Sequence, residues 1–357
     1  MFLSYYANLV KQIDASLKEF MYKNTKAIDK NEFLQFYYDE IERFLFSGGK
    51  RVRPILMVTS GLAVNPDINE NGIIKVALSL ELLHNASLIH DDIMDNAETR
   101  RGKKAFHKVL TLYSKQNYSD TIQNHEDFGV SMGILGGDFA YNMAYKAIHV
   151  NEFPPETVLK ASLEFNEGFF KVVRGVIIET DLMGRFNVSE KDYLTMVEGK
   201  TAALFNAATK MGAILANATE SQIDNLGFFG KNAGIAFQIV DDIIGSFGNA
   251  KKTGKPIDSD IKEGKKTLLL IKALEFADDS ERKTLEGIVG NRAASNNDVE
   301  SVREIFRTTG ALKYSKSKAE ELYKSSLQYL EKAEPALDQK YMQYLREIAK
   351  KGVNRDN

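Results

Sequence analysis

Five aspartates in two short stretches carry the first chemical signal. In SLIHDDIMDN, residues 87–96, Asp91, Asp92 and Asp95 follow directly on an apolar run. In AFQIVDDIIGSF, residues 236–247, Asp241 and Asp242 repeat the arrangement. Ionised carboxylates in apolar surroundings are costly unless they meet cations or water. On a helix Asp91 and Asp95 stand four residues apart and share a face, whereas Asp92 is rotated by about 100°. Hard oxygen ligands at this spacing suit magnesium, which commonly keeps waters and substrate phosphates in its shell. Asp92 is read as serving a second metal or an outer shell, and Asp241 and Asp242 as an opposite wall. Two acidic helix ends facing across a cavity repel unless divalent cations lie between them, and a diphosphate bridging those cations would complete the charge balance. The plainer reading makes each cluster a set of N-caps or a solvated face. Against it, both clusters interrupt apolar runs.

Basic residues occur where such a site would want them. GGKRVRP supplies Lys50, Arg51 and Arg53, ETRRGK supplies Arg100 and Arg101, and EGKTAALF supplies Lys200 and Thr201. Lys255 follows in TGKP and Lys265 in EGKKTLL. Arginine forks and lysine point charges both suit phosphate oxygens. An interior of Leu, Phe and Ala beneath the charged rim would hold a hydrocarbon tail. Several of these residues also have plainer readings. His84 serves equally well as a satisfied core histidine, His90 as a structural neighbour of Asp91, and Lys265 and Lys266 as surface lysines at a helix start. Phe205, Phe237 and Phe247 read as core or pocket wall.

The elements that must position these groups are helical. Only six prolines occur, mostly at boundaries, and long proline-free segments with helical spacing lie between them. Residues 73–90 are apolar on most sides, as in a helix at the centre of a bundle. Segments 128–149, 156–184, 190–217 and 222–246 are similarly long and rich in Ala, Leu, Phe and Met. FPPETV reads as a helix start, with proline in the first turn and Glu156 near the positive end of the dipole. No series of alternating strands is found. Residues 281–350 are more charged and surface-like, and the polar stretch 113–127 reads as a surface loop or helix extension. The expected fold is all-α: a single large orthogonal or antiparallel helical bundle over 1–357, built around a central cavity, with a polar insertion near 110–128.

Bulk properties bound the function. With 47 Lys plus Arg against 49 Asp plus Glu, the net charge is −2, and nothing draws the chain to nucleic acid or an anionic surface. The 43% hydrophobic content supports a large core. No cysteine is present, which excludes disulfides, thiolate zinc sites and cysteine nucleophiles. The opening MFLSYYANLVKQID lacks a basic leader with an apolar core, and no uninterrupted apolar run reaches the ~18 residues of a membrane span. A cytoplasmic protein without a membrane span is expected.

Taken in order, GGKRVRP, ELLHNASLIHDDIMDNAETRRG, GILGGD, GKTAALF, FQIVDDIIGSFG and TGKPIDSDIKEGKKT resemble the trans-isoprenyl diphosphate synthases, the polyprenyl synthetase type of prenyltransferase. The resemblance runs from FSGGKRVRP to EGKKTLLLIKAL and lies closest to the geranylgeranyl diphosphate synthases. It implies that isopentenyl diphosphate is bound by Lys50, Arg53, His84 and Arg101. It further implies that the allylic diphosphate is held by Arg100, Lys200, Lys255 and Lys265, with three magnesium ions on Asp91, Asp95 and Asp241. Thr201 and Gln238 match polar groups beside the allylic carbon, and a homodimer is the family's expected state. Such an enzyme ionises the allylic diphosphate and lets the isopentenyl double bond attack the resulting cation.

Three departures stand out from the family pattern. Gly245 replaces a frequent third aspartate, Ile178 stands where a glutamine three residues before Asp181 is frequent, and the 113–127 region is extra. A helical terpene cyclase would share the first aspartate cluster but has no need of GGKRVRP or Arg101. A non-catalytic partner subunit would show eroded metal and arginine positions, which here are intact apart from Gly245. Small residues at Ala86 and Ser87, where short-chain relatives carry aromatics, predict a twenty-carbon product, with twenty-five or more carbons as the alternative. Growth would then be stopped deeper, at Leu83, Phe139 or Tyr141.

Overall fold

The computed structural model describes residues 2–28, 30–185, 187–247 and 258–354. The punctuation of the sequence decides where its helices start. Asn31 accepts a hydrogen bond from the Leu34 amide and opens α2 (Glu32–Leu45), after α1 (Phe2–Asn24). α3 (Val52–Val64) follows the GGKR loop, and Asn69 caps α4 (Glu70–Met94) through the Gly72 amide. These side chains satisfy amides that a helix start leaves without partners. After α5 (Phe106–Asn117) and α6 (His125–His149), Pro155 sits in the first turn of α7 (Pro155–Met183). Ser189 and Asp192 form a reciprocal capping box for α8 (Glu190–Val197).

The stretch expected as one helix over 190–217 divides. α8 passes into a π-helical turn, Glu198–Ala202, and then into α9 (Ala203–Leu215). The long α10 (Glu220–Phe247) is followed by α11 (Ser259–Glu263) and α12 (Leu268–Phe276). The charged tail forms α13 (Asp279–Ile288), α14 (Asn296–Thr308), α15 (Ala311–Lys332) and α16 (Gln339–Val353). The fold is all-α. Among the described residues, β structure is confined to one antiparallel hairpin, Thr99–Arg100 with Lys103–Lys104.

Helices whose apolar residues run right round lie in the middle. α3 is buried continuously from Pro54 to Ala63, and α4 packs between α3 and α6. α10 lies along α9 and α15 and contributes to two apolar cores. Leu226, Phe229 and Ala233 join the core built on α1–α7, and Ile235, Ile239, Val240 and Ile243 join the one built on α8 and α12–α15. Among the described residues, α4 is the one helix long and apolar enough to cross a membrane, yet 78% of its apolar window is buried inside the protein. It serves as a core helix.

The polar region 113–127 is the end of α5, a short connection at 118–124 and the start of α6. Stacking of Tyr113 on Phe36 (4.4 Å) and a Ser114–His125 hydrogen bond (2.8 Å) hold it down.

Candidate active site

Both aspartate clusters lie at helix C-terminal ends. Asp91 and Asp92 fall in the last turn of α4, which Asp95 caps, and Asp241 and Asp242 lie two turns from the end of α10. The N-cap reading therefore fails. Carboxylates at the negative end of a helix dipole are disfavoured by about 0.3–1 kcal/mol each, so cations must offset them. A cavity of about 990 Å³ opens between these helix ends, lined by Asp91, Asp241 and Asp242. It is lined also by Lys50, Arg53, His84, Arg100, Arg101, Lys200, Thr201, Gln238 and Lys265. Lys255 lies outside the described residues.

Around Asp91 the cations are already in contact. Arg100 reaches Asp91 (3.1 Å) and donates from Nε to Asp92 (2.7 Å), and Lys200 Nζ pairs with Glu179 and lies 3.5 Å from Asp91. Burial opposes the Lys200 charge, but Asp91 and Glu179 outweigh it and hold the ammonium above its usual value. Partial desolvation and the neighbouring Asp91 raise the Asp95 carboxyl, with Glu263 adding to the shift and Lys265 and Lys200 opposing it. The Asp92 side chain is 0% exposed, is ion-paired to Arg100 and does not line the cavity. Of its two readings, a second metal or an outer shell, the Arg100 contact favours the outer shell. Asp92 fixes Arg100, and through Arg100 it fixes Asp91.

The loop before α3 and the hairpin after α4 build the opposite side. Gly48 and Gly49 take positive φ, as does Arg51, which is buried. Arg51 binds Asp14 (2.8 Å), Glu81 (2.7 Å) and the Leu45 carbonyl (2.9 Å). Those contacts pin the loop and orient Lys50 and Arg53 on either side. Arg101 and Gly102, both at positive φ, form the two-residue turn of the hairpin, and Arg101 donates to the Gly48 carbonyl. Arg53 stacks over Phe205 (5.2 Å), and its buried Nε has no hydrogen-bond partner. Burial, reinforced by Arg101, pushes the Arg53 guanidinium down to about 10. Burial and the field of Arg53, Arg101, Arg100 and Arg51 hold the His84 imidazolium well below its usual range. His84 is thus neutral near pH 7. The cluster has the character of an anion site.

Between the charged sides runs a hydrogen-bond relay. Thr201 Oγ1 donates to Gln238 Oε1, Gln238 Nε2 donates to Asp242 Oδ1, and the Tyr193 hydroxyl donates to Asp242 Oδ2, each at 2.7 Å. Burial and the nearby Asp260 push the Asp242 carboxyl up to about 7. Lys200 and Thr201 sit on the π-turn, a local widening often found at functional sites. α7 can meet that turn only through glycine: a Cβ on Gly175 would lie 2.1 Å from the Lys200 nitrogen.

Several site features were absent from the sequence reading. Asp181 is exposed and ion-paired to Arg185, while Val176 and Glu179, also three residues apart, line the cavity. Ile178 and Asp181, noted as a departure in the sequence, are not among the lining residues. Spacing along α7 carried that signal, because Val172, Val176 and Glu179 follow one face. Tyr193 and Asp260 also line the cavity. Tyr193 had no sequence signal. The apolar wall takes in Ser87, Leu88, Val172, Val176, Leu204 and Phe237. Ala86, Leu83, Phe139 and Tyr141 stand outside it: Phe139 packs on Tyr38, and Tyr141 on Phe169.

The carboxylate donor set fits magnesium, since Asp91, Asp95 and Asp241 offer only hard oxygens. Among the described residues no three such ligands converge on one point. A metal here would need oxygens from water and phosphate to complete its shell.

The polyprenyl synthetase family model matches residues 35–306. The geranylgeranyl diphosphate synthase of Saccharolobus solfataricus is 35% identical over 305 residues, covering 85% of this chain and 83% of that one. The geranylfarnesyl diphosphate synthase of Aeropyrum pernix is 36% identical over 276 residues, covering 76% and 80%. Among solved structures, the geranylgeranyl pyrophosphate synthase of Corynebacterium glutamicum, complexed with isoprenyl diphosphate and magnesium, superposes with a TM-score of 0.91 at 28% identity, covering 98% and 99% of the two chains.

Proposed function

The chain belongs to the polyprenyl synthetase family and is a prenyltransferase, and from that premise we propose that it condenses isopentenyl diphosphate with an allylic diphosphate, with geranylgeranyl diphosphate as main product. One observation carries the reading. One cavity sets a cationic cluster, Lys50, Arg53 and Arg101 with the neutral His84 beside them, against two acidic walls, with an apolar surface between them. We read the chain as one unit, since α10 serves both cores.

In this reading Lys50, Arg53, Arg101 and neutral His84 hold isopentenyl diphosphate, the buried Arg53 Nε donating the hydrogen bond it now lacks. Lys200, Lys265, Arg100 and, in the segment beyond Phe247, Lys255 hold the allylic diphosphate. Magnesium, three ions in the family pattern, would be held by Asp91, Asp95 and Asp241 and would supply charge that stabilises the leaving diphosphate. The allylic C–O bond breaks and its electron pair leaves with diphosphate. Thr201 and Gln238, fixed by Asp242 and Tyr193, offer oxygen lone pairs to the emerging cation. The isopentenyl π electrons form the new carbon–carbon bond, and a proton is lost to the departing diphosphate. No nucleophilic side chain is required.

Product length follows from the wall. Ser87 is small and lines the cavity, so this surface does not stop a fifteen-carbon tail. The test is incubation with magnesium, isopentenyl diphosphate and each of dimethylallyl, geranyl and farnesyl diphosphate, followed by chromatography of the dephosphorylated products. A twenty-carbon main product is expected, and Ser87→Phe is expected to shorten it. A dominant product of twenty-five carbons, or a length unmoved by Ser87→Phe, overturns the assignment. We also assign a homodimer, supported by an exposed apolar seam on α7.

A further inference from the structure

The two acidic walls are unequal in sequence. The first runs Asp-Asp-x-x-Asp over Asp91, Asp92 and Asp95, whereas the second runs Asp-Asp-x-x-Gly over Asp241, Asp242 and Gly245. The space beside Gly245 is nonetheless filled. A Cβ at Gly245 would lie 2.3 Å from Oδ2 of Asp260, so the Asp260 carboxylate stands where a side chain at 245 would begin. Asp260 arrives from a different segment, in α11, and lines the same cavity as Asp241 and Asp242.

We propose that Asp260 is the third carboxylate of the second acidic wall, delivered from α11 into the space that Gly245 leaves open, and that it acts on the magnesium–diphosphate assembly of this cavity. The inference rests on reading the cavity as a metal–diphosphate site. The competing role for Asp260 is as counter-ion to Lys265, whose ammonium lies 3.6 Å away. Lys265 also pairs with Glu263, at 2.9 Å, and so keeps a counter-ion when Asp260 turns to the metal assembly. Asp241, Asp242 and Asp260 line one cavity, and carboxylate oxygens so gathered suit a divalent cation. Gly245 leaves room for the Asp260 carboxylate as it stands, and a side chain at 245 would require that carboxylate to shift.

Two roles for Asp260 give opposite signs in one experiment. Binding of inorganic diphosphate is measured by titration calorimetry with magnesium and again in EDTA, for the full chain and for Asp260→Asn, Gly245→Asp and the double variant. If Asp260 acts on the metal assembly, Asp260→Asn weakens binding by about tenfold or more with magnesium, the range for residues supporting a metal site. In EDTA the same variant binds diphosphate at least as tightly as the parent, because a negative charge beside Lys265 has gone. Gly245→Asp alone weakens the magnesium-dependent binding, since two carboxylates contest one space, and the double variant recovers most of the loss. Asp260→Asn within about twofold of the parent with magnesium overturns the inference. So does an equal loss in both conditions, or a double variant no better than Asp260→Asn. Absence of magnesium-dependent binding in the parent would instead remove the cavity reading, and the inference with it.

Discussion

At the scale of single residues the site is a problem in charge placement. Asp91 and Asp241 stand near the ends of separate helices and line one cavity. Each is expected to be indispensable: Asp91→Ala and Asp241→Ala should lower turnover at saturating magnesium by at least about a hundredfold, the scale of losing one electrostatic contact to a transition state. Steady-state assays near the parent rate in either variant would remove that residue from the machinery. Tyr193 makes a subtler contribution. Above the value of about 7 to which its carboxyl is raised, Asp242 can only accept, so Tyr193 and the Gln238 amide both donate to it, and the Gln238 oxygen is left facing Thr201. Tyr193→Phe deletes one of those donors inside the core. We expect kcat to fall about three- to tenfold, within the worth of a hydrogen bond to a charged group, with KM for isopentenyl diphosphate unchanged. A rise confined to that KM would place Tyr193 in the wrong half of the site.

Elements explain what the sequence could and could not disclose. The helices at 73–90, 128–149, 156–184 and 222–246 were legible because long proline-free apolar runs leave no other way to satisfy the backbone. The aspartates, the GGKR loop and the cationic residues were legible from residue type and order. The π-turn at Glu198–Ala202 was not, because its one extra residue per turn leaves no mark in composition. Asp92 stayed open between two readings for a related reason: rotation by one residue turns it onto Arg100, and only packing shows which of two adjacent carboxylates faces which way. The π-turn also yields a test. In an open helix, replacing glycine by alanine stabilises by about 1 kcal/mol. At Gly175 the added methyl would meet backbone of the turn at 2.1–2.8 Å. Gly175→Ala is therefore expected to destabilise by about 1–3 kcal/mol, the usual cost of overpacking, and to lower kcat by displacing Lys200. Chemical denaturation with parallel kinetics measures both, and a more stable, fully active variant would show that the close approach does not constrain the turn.

For the whole molecule, α7 poses a problem that one chain does not solve. Its inner face buries Val158, Ala161, Phe165, Gly168, Val172 and Gly175. A second set, Leu159, Leu163, Phe170, Val173 and Ile177, is 42–63% exposed. The spacing of that set, four, seven, three and four, is the stripe of a helix meeting another helix. Ile134 and Leu135 on α6 and Phe228 on α10 add further exposed apolar surface. Large apolar patches of this kind mark association, and a two-fold pairing of α7 with its own copy would cover the stripe with the same residues on both sides. Val172, Val176 and Glu179 of this helix line the cavity and Gly175 bears on the Lys200 turn, so a partner holding α7 would stiffen the catalytic wall. The paired change Leu163→Glu and Phe170→Glu should therefore convert a dimer into a monomer by light scattering after gel filtration. Turnover per chain is expected to fall with it, although neither residue lines the cavity. A parent chain that elutes as a monomer, or a double variant that stays dimeric, would show that the α7 seam is not the contact.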